Sequence, residues 1–271
     1  MSTAVRTGQA MGAPKTGRLF TIDVADAVAT LTLSHPPVNA ISEEWIRQFE
    51  AILDELAARA DWNLLHLRSN QKVFCAGADL KEMRDRIAAA DGPDRAYAYV
   101  ASIQRLYARI ERLPQITLAE IGGAAMGGGL ELALACDLRI AAAKAKLGLP
   151  EVRLGLLPGA GGTQRLTRLC GRAVASRLIL GAEVVEGAIA CDLGIVQWAV
   201  PGPELAERAI EITRRVATLP ATALAASKAC IAAAAEPGQG GYTEELEATR
   251  RLLMNADTRK RVEAFFAGTL R

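Results

Sequence analysis

The chain has 271 residues, of which 51% are apolar and 23% are charged, a composition typical of a soluble globular protein with a sizeable core. Its 32 basic and 30 acidic side chains leave a formal net charge of +2, which argues against a strong electrostatic field for nucleic acid. No apolar run approaches the roughly 18 residues of a membrane helix, and the five cysteines lack the C-x-x-C spacing of a disulfide framework or a zinc site. We therefore expect a cytoplasmic protein that neither crosses a membrane nor binds a metal.

The first elements alternate strand and helix patterns. Residues 1–18 are rich in Gly, Ala and Thr and predict a flexible N-terminal tail. Residues 19–24 and 28–33 alternate apolar with polar side chains around a short turn, which predicts a β-hairpin. Ser42 is placed to cap a helix that runs through Ala58, because apolar residues then recur at helical spacing.

A stretch of small residues, Phe74-Cys-Ala-Gly-Ala-Asp-Leu80, lies between a strand predicted over 63–68 and a helix predicted over 80–89. Small side chains there would let main-chain N–H groups face a ligand. A plain tight turn explains the stretch equally well when it is taken alone. Cys75 has no basic residue nearby in sequence, so we interpret it as a small buried residue rather than a nucleophile.

The helix predicted over 95–112 carries Arg105, Arg109 and Arg112 on one face. A solvated helix face is the simpler interpretation of this basic stripe, and RNA binding is the alternative. No G-x-S-x-G, Walker A or complete G-x-G-x-x-G sequence occurs, which lowers the expectation of a serine hydrolase, a phosphoryl transferase or a dinucleotide-binding protein.

Three consecutive glycines, Gly127 to Gly129, lie between a strand predicted over 117–121 and a helix-forming segment. Glu131 lies just inside that helix, and Glu151 follows Leu149-Pro150 further along the chain. Exposed backbone donors beside two carboxylates are what proton transfer next to a carbonyl requires. The alternative is a strand–helix junction with two solvated glutamates.

The remaining chain predicts more strand–helix alternation, and then helices alone. A strand over 137–141, a Pro/Gly loop over 154–162, helices over 163–169, 173–180 and 186–192, and a strand over 195–200 are followed by a composition break at Pro201. Four helices follow that break. We predict an α/β core over 19–200 and an all-helical C-terminal region over 201–271.

Three of these stretches resemble the enoyl-CoA hydratase/isomerase (crotonase) superfamily: Phe74 to Met83, Gly127 to Asp137, and Gly155 to Leu166. The resemblance covers nearly the whole chain from Leu19 onward. It implies a spiral of ββα units with a C-terminal helical oligomerisation region, and a homotrimer or homohexamer. It further implies an acyl-CoA thioester substrate and no metal or redox cofactor.

In this family two main-chain N–H groups hold the thioester oxygen, and motif position assigns them to Ala76 and Gly128. The same resemblance places six residues in contact with the substrate: Ala76, Gly77, Ala78, Asp79, Leu80 and Gly128. Glu131 would hold and activate the water, and Glu151 would exchange the proton at Cα.

Possession of both glutamates favours hydration, because isomerases of the family commonly keep only one. The leading prediction is the reversible syn-addition of water to a trans-2-enoyl-CoA, which gives a 3-hydroxyacyl-CoA. A Δ3,Δ2-enoyl-CoA isomerase and a methylglutaconyl-CoA-type hydratase are the enzymatic alternatives. A second, RNA-binding function through the arginine stripe is the alternative from another class.

The chain departs from the family pattern at several positions. Pro37 stands where many relatives carry a basic residue for the CoA phosphates, and Glu120 stands where a small residue is usual. The closing signature of the family is altered around Lys260-Arg261. The candidates for contact with the CoA 3′-phosphate are Lys228, Lys260 and Arg271.

Overall fold

The computed structural model describes residues 19–234 and 240–269. The predicted tail over 1–18 and the candidate Arg271 lie outside these residues. Contacts divide the chain into two compact units between Thr218 and Leu219. The predicted boundary at Pro201 separates strands from helices, whereas the contacts group the helix that follows Pro201 with the sheet.

The strands and helices of the described chain follow the predicted alternation. The strands are β1 (Phe20–Ala25), β2 (Val28–Leu33), β3 (Leu64–Ser69), β4 (Ile116–Ile121), β5 (Ala125–Met126), β6 (Leu138–Ala142), β7 (Lys146–Gly148), β8 (Val184–Glu186) and β9 (Trp198–Val200). The helices are α1 (Glu43–Ala57), α2 (Leu80–Ile87), α3 (Gly92–Glu111), α4 (Gly128–Leu134), α5 (Gly162–Ile179), α6 (Gly187–Asp192), α7 (Leu205–Ala217), α8 (Ala221–Ala234), α9 (Gly241–Met254) and α10 (Ala256–Phe266).

The larger sheet has the strand order β1-β2-β3-β4-β6-β9. β1 and β2 form the predicted hairpin, and Asp26 and Ala27 in its turn have φ angles of 50° and 61°, as a two-residue hairpin turn requires. The pairs β2–β3, β3–β4, β4–β6 and β6–β9 are all parallel. Because parallel strands end at the same edge of a sheet, the turns that follow β3 and β4 come together there.

Helix α1 shows why the sequence pattern identifies the core. The Ser42 side chain accepts a hydrogen bond from the Trp45 backbone N–H, so the helix begins where the pattern predicts. Trp45 and Phe49 are fully buried, and both rings pack against Phe20 of β1. Each such buried side chain contributes about 1.5–3 kcal/mol.

A second, smaller sheet with the order β5-β7-β8 is absent from the sequence prediction. Its strands are two or three residues long, too short to show an alternating pattern. This sheet matters for the site because β5 leads into Gly127 and β7 leads into Glu151. The Gly127 N–H donates to the Gly148 carbonyl at 2.9 Å, which ties the two segments together.

The C-terminal unit contains α8, α9 and α10, as predicted, and α9 packs against both of the others. Helix α7 belongs to the first unit and packs on β2, β3, β4 and β6. In the part of the chain that is described, no single helix is long and apolar enough to cross a membrane; residues 202–217 and 221–234 meet the length and composition criteria only as a broken pair.

Candidate active site

The two small-residue turns predicted from sequence lie against each other. The Met126 N–H donates to the Cys75 carbonyl at 3.0 Å, next to an isolated bridge between Cys75 and Ala125. A Cβ added to Gly129 would stand 2.1 Å from the Cys75 oxygen, and one added to Gly77 would stand 2.7 Å from the Met126 oxygen. These glycines are therefore required for the close approach of the two backbones.

Two backbone N–H groups remain available where the turns meet. Gly128 is the first residue of α4, so its N–H has no partner within the helix. The N–H of Ala78 has no acceptor among the described residues. A Cβ added to Gly128 would stand 3.6 Å from the Ala78 nitrogen, so both donors border the same small space.

The structure contradicts the assignment of Ala76 as a donor. Its N–H already donates to the Val38 carbonyl at 3.0 Å, so it is not free to bind a substrate oxygen. In this turn the N–H without an acceptor among the described residues is two positions further on, at Ala78, and the sequence could not show this because the partner Val38 lies far away in the chain.

The rest of this stretch supports the turn rather than facing a ligand with its polar groups. The Asp79 carboxylate caps α2 by accepting from the N–H groups of Lys81 and Glu82, and the Asp79 N–H donates to the Ile41 carbonyl. The Gly77 carbonyl accepts from the Ile41 N–H at 2.9 Å. The Leu80 side chain is exposed and remains available for an apolar contact.

Glu131 is 3% exposed, and its Oε1 accepts a hydrogen bond of 2.7 Å from the Gly162 N–H. Burial is the largest cause that raises the pKa of this carboxyl group to about 7; the nearby charge of Glu151 acts in the same direction, and the Gly162 N–H acts in the opposite direction. A carboxyl group with such a pKa can either accept or donate a proton near neutral pH.

Glu151 begins a short 3₁₀ helix, Glu151–Leu154, directly after Pro150. Burial raises the pKa of its carboxyl group. Its Oε2 is buried without a hydrogen-bond partner in residues 19–234 and 240–269, and a Cβ added to Gly127 would stand 2.9 Å from its Oε1. The second carboxylate therefore lies beside the glycine run that carries Gly128 and leads to Glu131.

Two buried residues, one at the site and one in the large sheet, escaped the sequence analysis or had no explanation there. The hydroxyl of the fully buried Tyr107 donates to the Gly128 carbonyl at 2.7 Å, so α3 supports the glycine run. The unexplained Glu120 has a partner across the strands, since its Oε2 lies 2.8 Å from Nε2 of the buried His66. Neither contact follows from local sequence, because each joins residues that are distant in the chain.

One arginine of the stripe is engaged within the protein, because Arg109 forms an ion pair of 2.6 Å with Asp54 and also contacts the Glu50 carbonyl. The candidates Lys228 and Lys260 lie in α8 and α10 of the C-terminal unit. No cluster of three or more His, Cys, Asp or Glu side chains suited to a metal ion occurs in the part of the chain that the structure covers.

The fold and the site define an α/β protein in which two backbone donors lie beside two carboxyl groups, one buried and one half-buried. Residues 23–267 match the family described as enoyl-CoA hydratase/isomerase, and the chain belongs to this family.

Known relatives agree with that assignment in sequence and in structure. The chain is 39% identical over 246 residues to an enoyl-CoA isomerase/hydratase of Mycosarcoma maydis, covering 87% of this chain and 88% of the relative. It is 42% identical over 159 residues to human mitochondrial methylglutaconyl-CoA hydratase, covering 58% of this chain and 45% of the relative. The crystal structure of an enoyl-CoA hydratase from Bacillus anthracis superposes with a TM-score of 0.87 at 33% identity, covering 93% of this chain and 98% of that one. The predicted crotonase fold is confirmed.

Proposed function

We propose that the protein is an enoyl-CoA hydratase, which adds water reversibly and in syn fashion to a trans-2-enoyl-CoA to give a 3-hydroxyacyl-CoA. One observation carries the proposal: two carboxyl groups with raised pKa values, Glu131 and Glu151, lie beside a space bordered by two backbone N–H groups. Membership of the family supports an acyl-CoA substrate.

The two N–H groups would bind the thioester oxygen. In the proposed complex Ala78 and Gly128 donate to that oxygen, and they stabilise the negative charge that develops on it when water adds to Cβ. Each donor of such a hole is typically worth about 10²–10³ in rate. Because both donors are main-chain groups held between packed turns, little reorganisation is needed when the charge appears.

The two glutamates would supply the proton transfers. Glu131 accepts a proton from the water as its oxygen bonds to Cβ, and Glu151 delivers a proton to Cα as the enolate collapses. The products are a 3-hydroxyacyl-CoA and a dyad that holds the same number of protons as before. Because each carboxylate disfavours ionisation of the other, the two groups should titrate as a coupled pair.

Isomerisation of a 3-enoyl-CoA remains the second candidate, because the Mycosarcoma maydis relative is named for both activities. That reaction moves a proton with one carboxyl group, and it leaves the second glutamate without a role. A methylglutaconyl-CoA-type hydratase uses the same chemistry on a branched acyl group. RNA binding through the arginine stripe receives less support, because Arg109 is engaged by Asp54.

The deciding experiment mixes the purified protein with crotonyl-CoA and follows the loss of the conjugated enoyl-thioester absorbance. We expect a loss that depends on enzyme concentration, with 3-hydroxybutyryl-CoA as the product. If crotonyl-CoA, a longer 2-enoyl-CoA and methylglutaconyl-CoA all stay unchanged while a 3-enoyl-CoA is converted, the protein is an isomerase and the proposal fails.

The proposal includes no metal or redox cofactor, because the addition of water to an activated double bond needs only acid/base groups and an oxyanion hole. We also propose a cytoplasmic enzyme, because its five cysteines show no disulfide or zinc spacing.

For the assembly we propose a homotrimer or homohexamer. Leu246, Phe265 and Phe266 of the C-terminal unit are largely exposed, and self-association would remove this apolar surface from water. Sedimentation equilibrium distinguishes these assemblies from a monomer.

A further inference from the structure

The loop over 159–162, which holds Glu131, is itself held by a buried arginine. We propose that Arg165 is a positioning residue for the hydration reaction: it clamps this loop between α3 and α5 and thereby sets the orientation of the Glu131 carboxylate. The inference rests on the proposed function for its activity readout, but the structural relationship stands on the contacts themselves.

The Arg165 guanidinium reaches both sides of the clamp. Its Nη1 donates to the Ala160 carbonyl at 2.8 Å, while Nε and Nη2 donate to Oε2 of Glu111 at 3.1 and 2.8 Å. Arg165 is only 9% exposed, whereas Glu111 at the end of α3 is half-exposed. Since a buried guanidinium needs its charge and its donors satisfied, these contacts confine the side chain to one geometry.

Two glycines of the loop leave the space that these contacts need. A Cβ added to Gly161 would stand 2.2 Å from Nη1 of Arg165, and the φ of Gly161 is 106°, which favours glycine. At the next residue, a Cβ added to Gly162 would stand 2.9 Å from Oε1 of Glu131. One glycine thus makes room for the guanidinium, and the next brings its N–H to the carboxylate.

Helix α3 also contacts the loop at a second point. The Gln104 side chain donates from Nε2 to the Gly159 carbonyl at 3.2 Å. Gln104, Tyr107 and Glu111 follow one another at helical spacing, so they lie on one face of α3. This face contacts the Gly128 carbonyl through Tyr107 and the loop through the other two residues.

The charge of Arg165 has a second effect on Glu131. Its positive charge lowers the pKa of this carboxyl group and so opposes burial and the charge of Glu151, both of which raise it. The titratable groups that face Glu131 are Tyr107 from α3, Glu151 from the 3₁₀ helix and Arg165 from α5. Of these, Arg165 is the one whose charge favours the ionised carboxylate that the water-activation step needs.

The test compares Arg165→Gln, Arg165→Lys and Glu111→Ala with a control, Arg177→Gln. Arg177 lies on the same helix and also pairs with a glutamate, Glu183, but this pair is about half-exposed and Arg177 is in the last turn of the helix, at the end opposite the loop. For each variant, kcat, KM and the pH dependence of kcat/KM are measured with crotonyl-CoA, and circular dichroism checks the fold.

We expect Arg165→Gln to lower kcat by about 10- to 100-fold with KM within a factor of about two, because a misplaced catalytic group costs rate rather than substrate binding. The acidic limb of its pH profile should move to higher pH, since the loss of the positive charge raises the pKa of Glu131. Arg165→Lys keeps the positive charge, so the acidic limb should return to its wild-type position, but only part of kcat should be recovered. Glu111→Ala should lower kcat about tenfold, and Arg177→Gln should match the wild type.

A folded Arg165→Gln variant with wild-type kcat and an unmoved acidic limb would overturn the proposal. If that variant does not fold, Glu111→Ala decides, and wild-type kcat in it overturns the proposal equally. If the wild type itself does not hydrate enoyl-CoA, the proposed function fails, and the inference is tested without substrate. Carbon-13 NMR of labelled glutamate carboxyls, with Glu131→Gln for assignment, must then show a higher Glu131 pKa in Arg165→Gln than in Arg165→Lys and Arg177→Gln; equal values in all variants refute it.

Discussion

The backbone N–H of Gly162 donates a hydrogen bond of 2.7 Å to Oε1 of Glu131, and this bond connects the Pro/Gly loop to the glycine-run helix. Burial of Glu131 penalises its ionised form, whereas the Gly162 N–H stabilises that form. The outcome is a carboxyl group whose orientation is fixed and whose pKa lies at about 7. Such a group suits the activation of water near physiological pH.

The first prediction concerns the two glutamates. Glu131→Gln and Glu151→Gln should each lower kcat for crotonyl-CoA hydration by about 10²–10⁴, the usual contribution of a general acid or base. Both amides conserve shape, so the far-UV circular dichroism spectrum should not change. Exposed Glu186→Gln provides the control. Full activity in either active-site variant would refute the role given to that residue.

A second prediction links the raised pKa of Glu131 to stability. The pKa of about 7 in the folded state lies above the ordinary value of 4.5, so the folded protein binds more protons than the unfolded chain between these pH values. The free energy of unfolding must therefore fall as pH rises from about 4.5 to about 7, by roughly 3 kcal/mol from this group.

Glu131→Gln removes this cost, because the amide stays neutral and its oxygen can still accept from Gly162. Urea unfolding at pH 8 should show the variant to be more stable than the wild type by about 3 kcal/mol, and the difference should vanish near pH 4. An equal difference at both pH values would show that packing, and not ionisation, separates the two proteins. If the expected result is found, the Glu131→Gln variant is more stable than the wild type but inactive, a common result at active sites.

The sequence identified most of the scaffold, because its elements are set by local patterns. The hairpin turn at Asp26-Ala27, the Ser42 cap and the interruption of the helical segment near Gly171 all follow from residues close together in the chain; Gly171 indeed has a non-helical φ of 79° within α5. The small sheet escaped because its strands are too short to show a period.

The identity of the first backbone donor could not be deduced in the same way. Ala76 and Ala78 are the same residue type in the same turn, and only the hydrogen bond from Ala76 to Val38 distinguishes them. Likewise, the sequence places Arg165 in the third stretch that resembles the family, but nothing in it connects Arg165 with Glu111. Their contact depends on how α3 and α5 pack, which no local pattern specifies.

Tyr107 carries the third prediction. Its hydroxyl donates to the Gly128 carbonyl at 2.7 Å inside the core, so Tyr107→Phe should lower the free energy of unfolding by about 1 kcal/mol. Because Gly128 then loses a restraint, kcat should fall roughly 3- to 10-fold with little change in KM. Tyr97→Phe on the exposed face of the same helix is the matched control. Equal kinetics in the two variants would contradict a supporting role for Tyr107.

The fourth prediction tests the two backbone donors, Ala78 and Gly128. Since removing a side chain leaves a backbone N–H in place, the test instead blocks the space beside the donors. Gly128→Ala would place a methyl group 3.6 Å from the Ala78 nitrogen, in the space that both donors border. The nearest obstacle is the tip of the Ile41 side chain at 3.0 Å, which can shift, so the variant should fold.

The methyl group should exclude the thioester oxygen, and kcat should fall by about 10²–10³, the loss typical of one oxyanion donor. Gly122→Ala is the control, because its methyl group meets only Leu205 at an ordinary 3.5 Å. The loss of crotonyl-CoA absorbance is measured for both variants to compare their kcat values, and thermal unfolding confirms that both are folded. If Gly128→Ala retains wild-type kcat, the thioester oxygen does not bind between Ala78 and Gly128, and the substrate must approach the glutamates from another side.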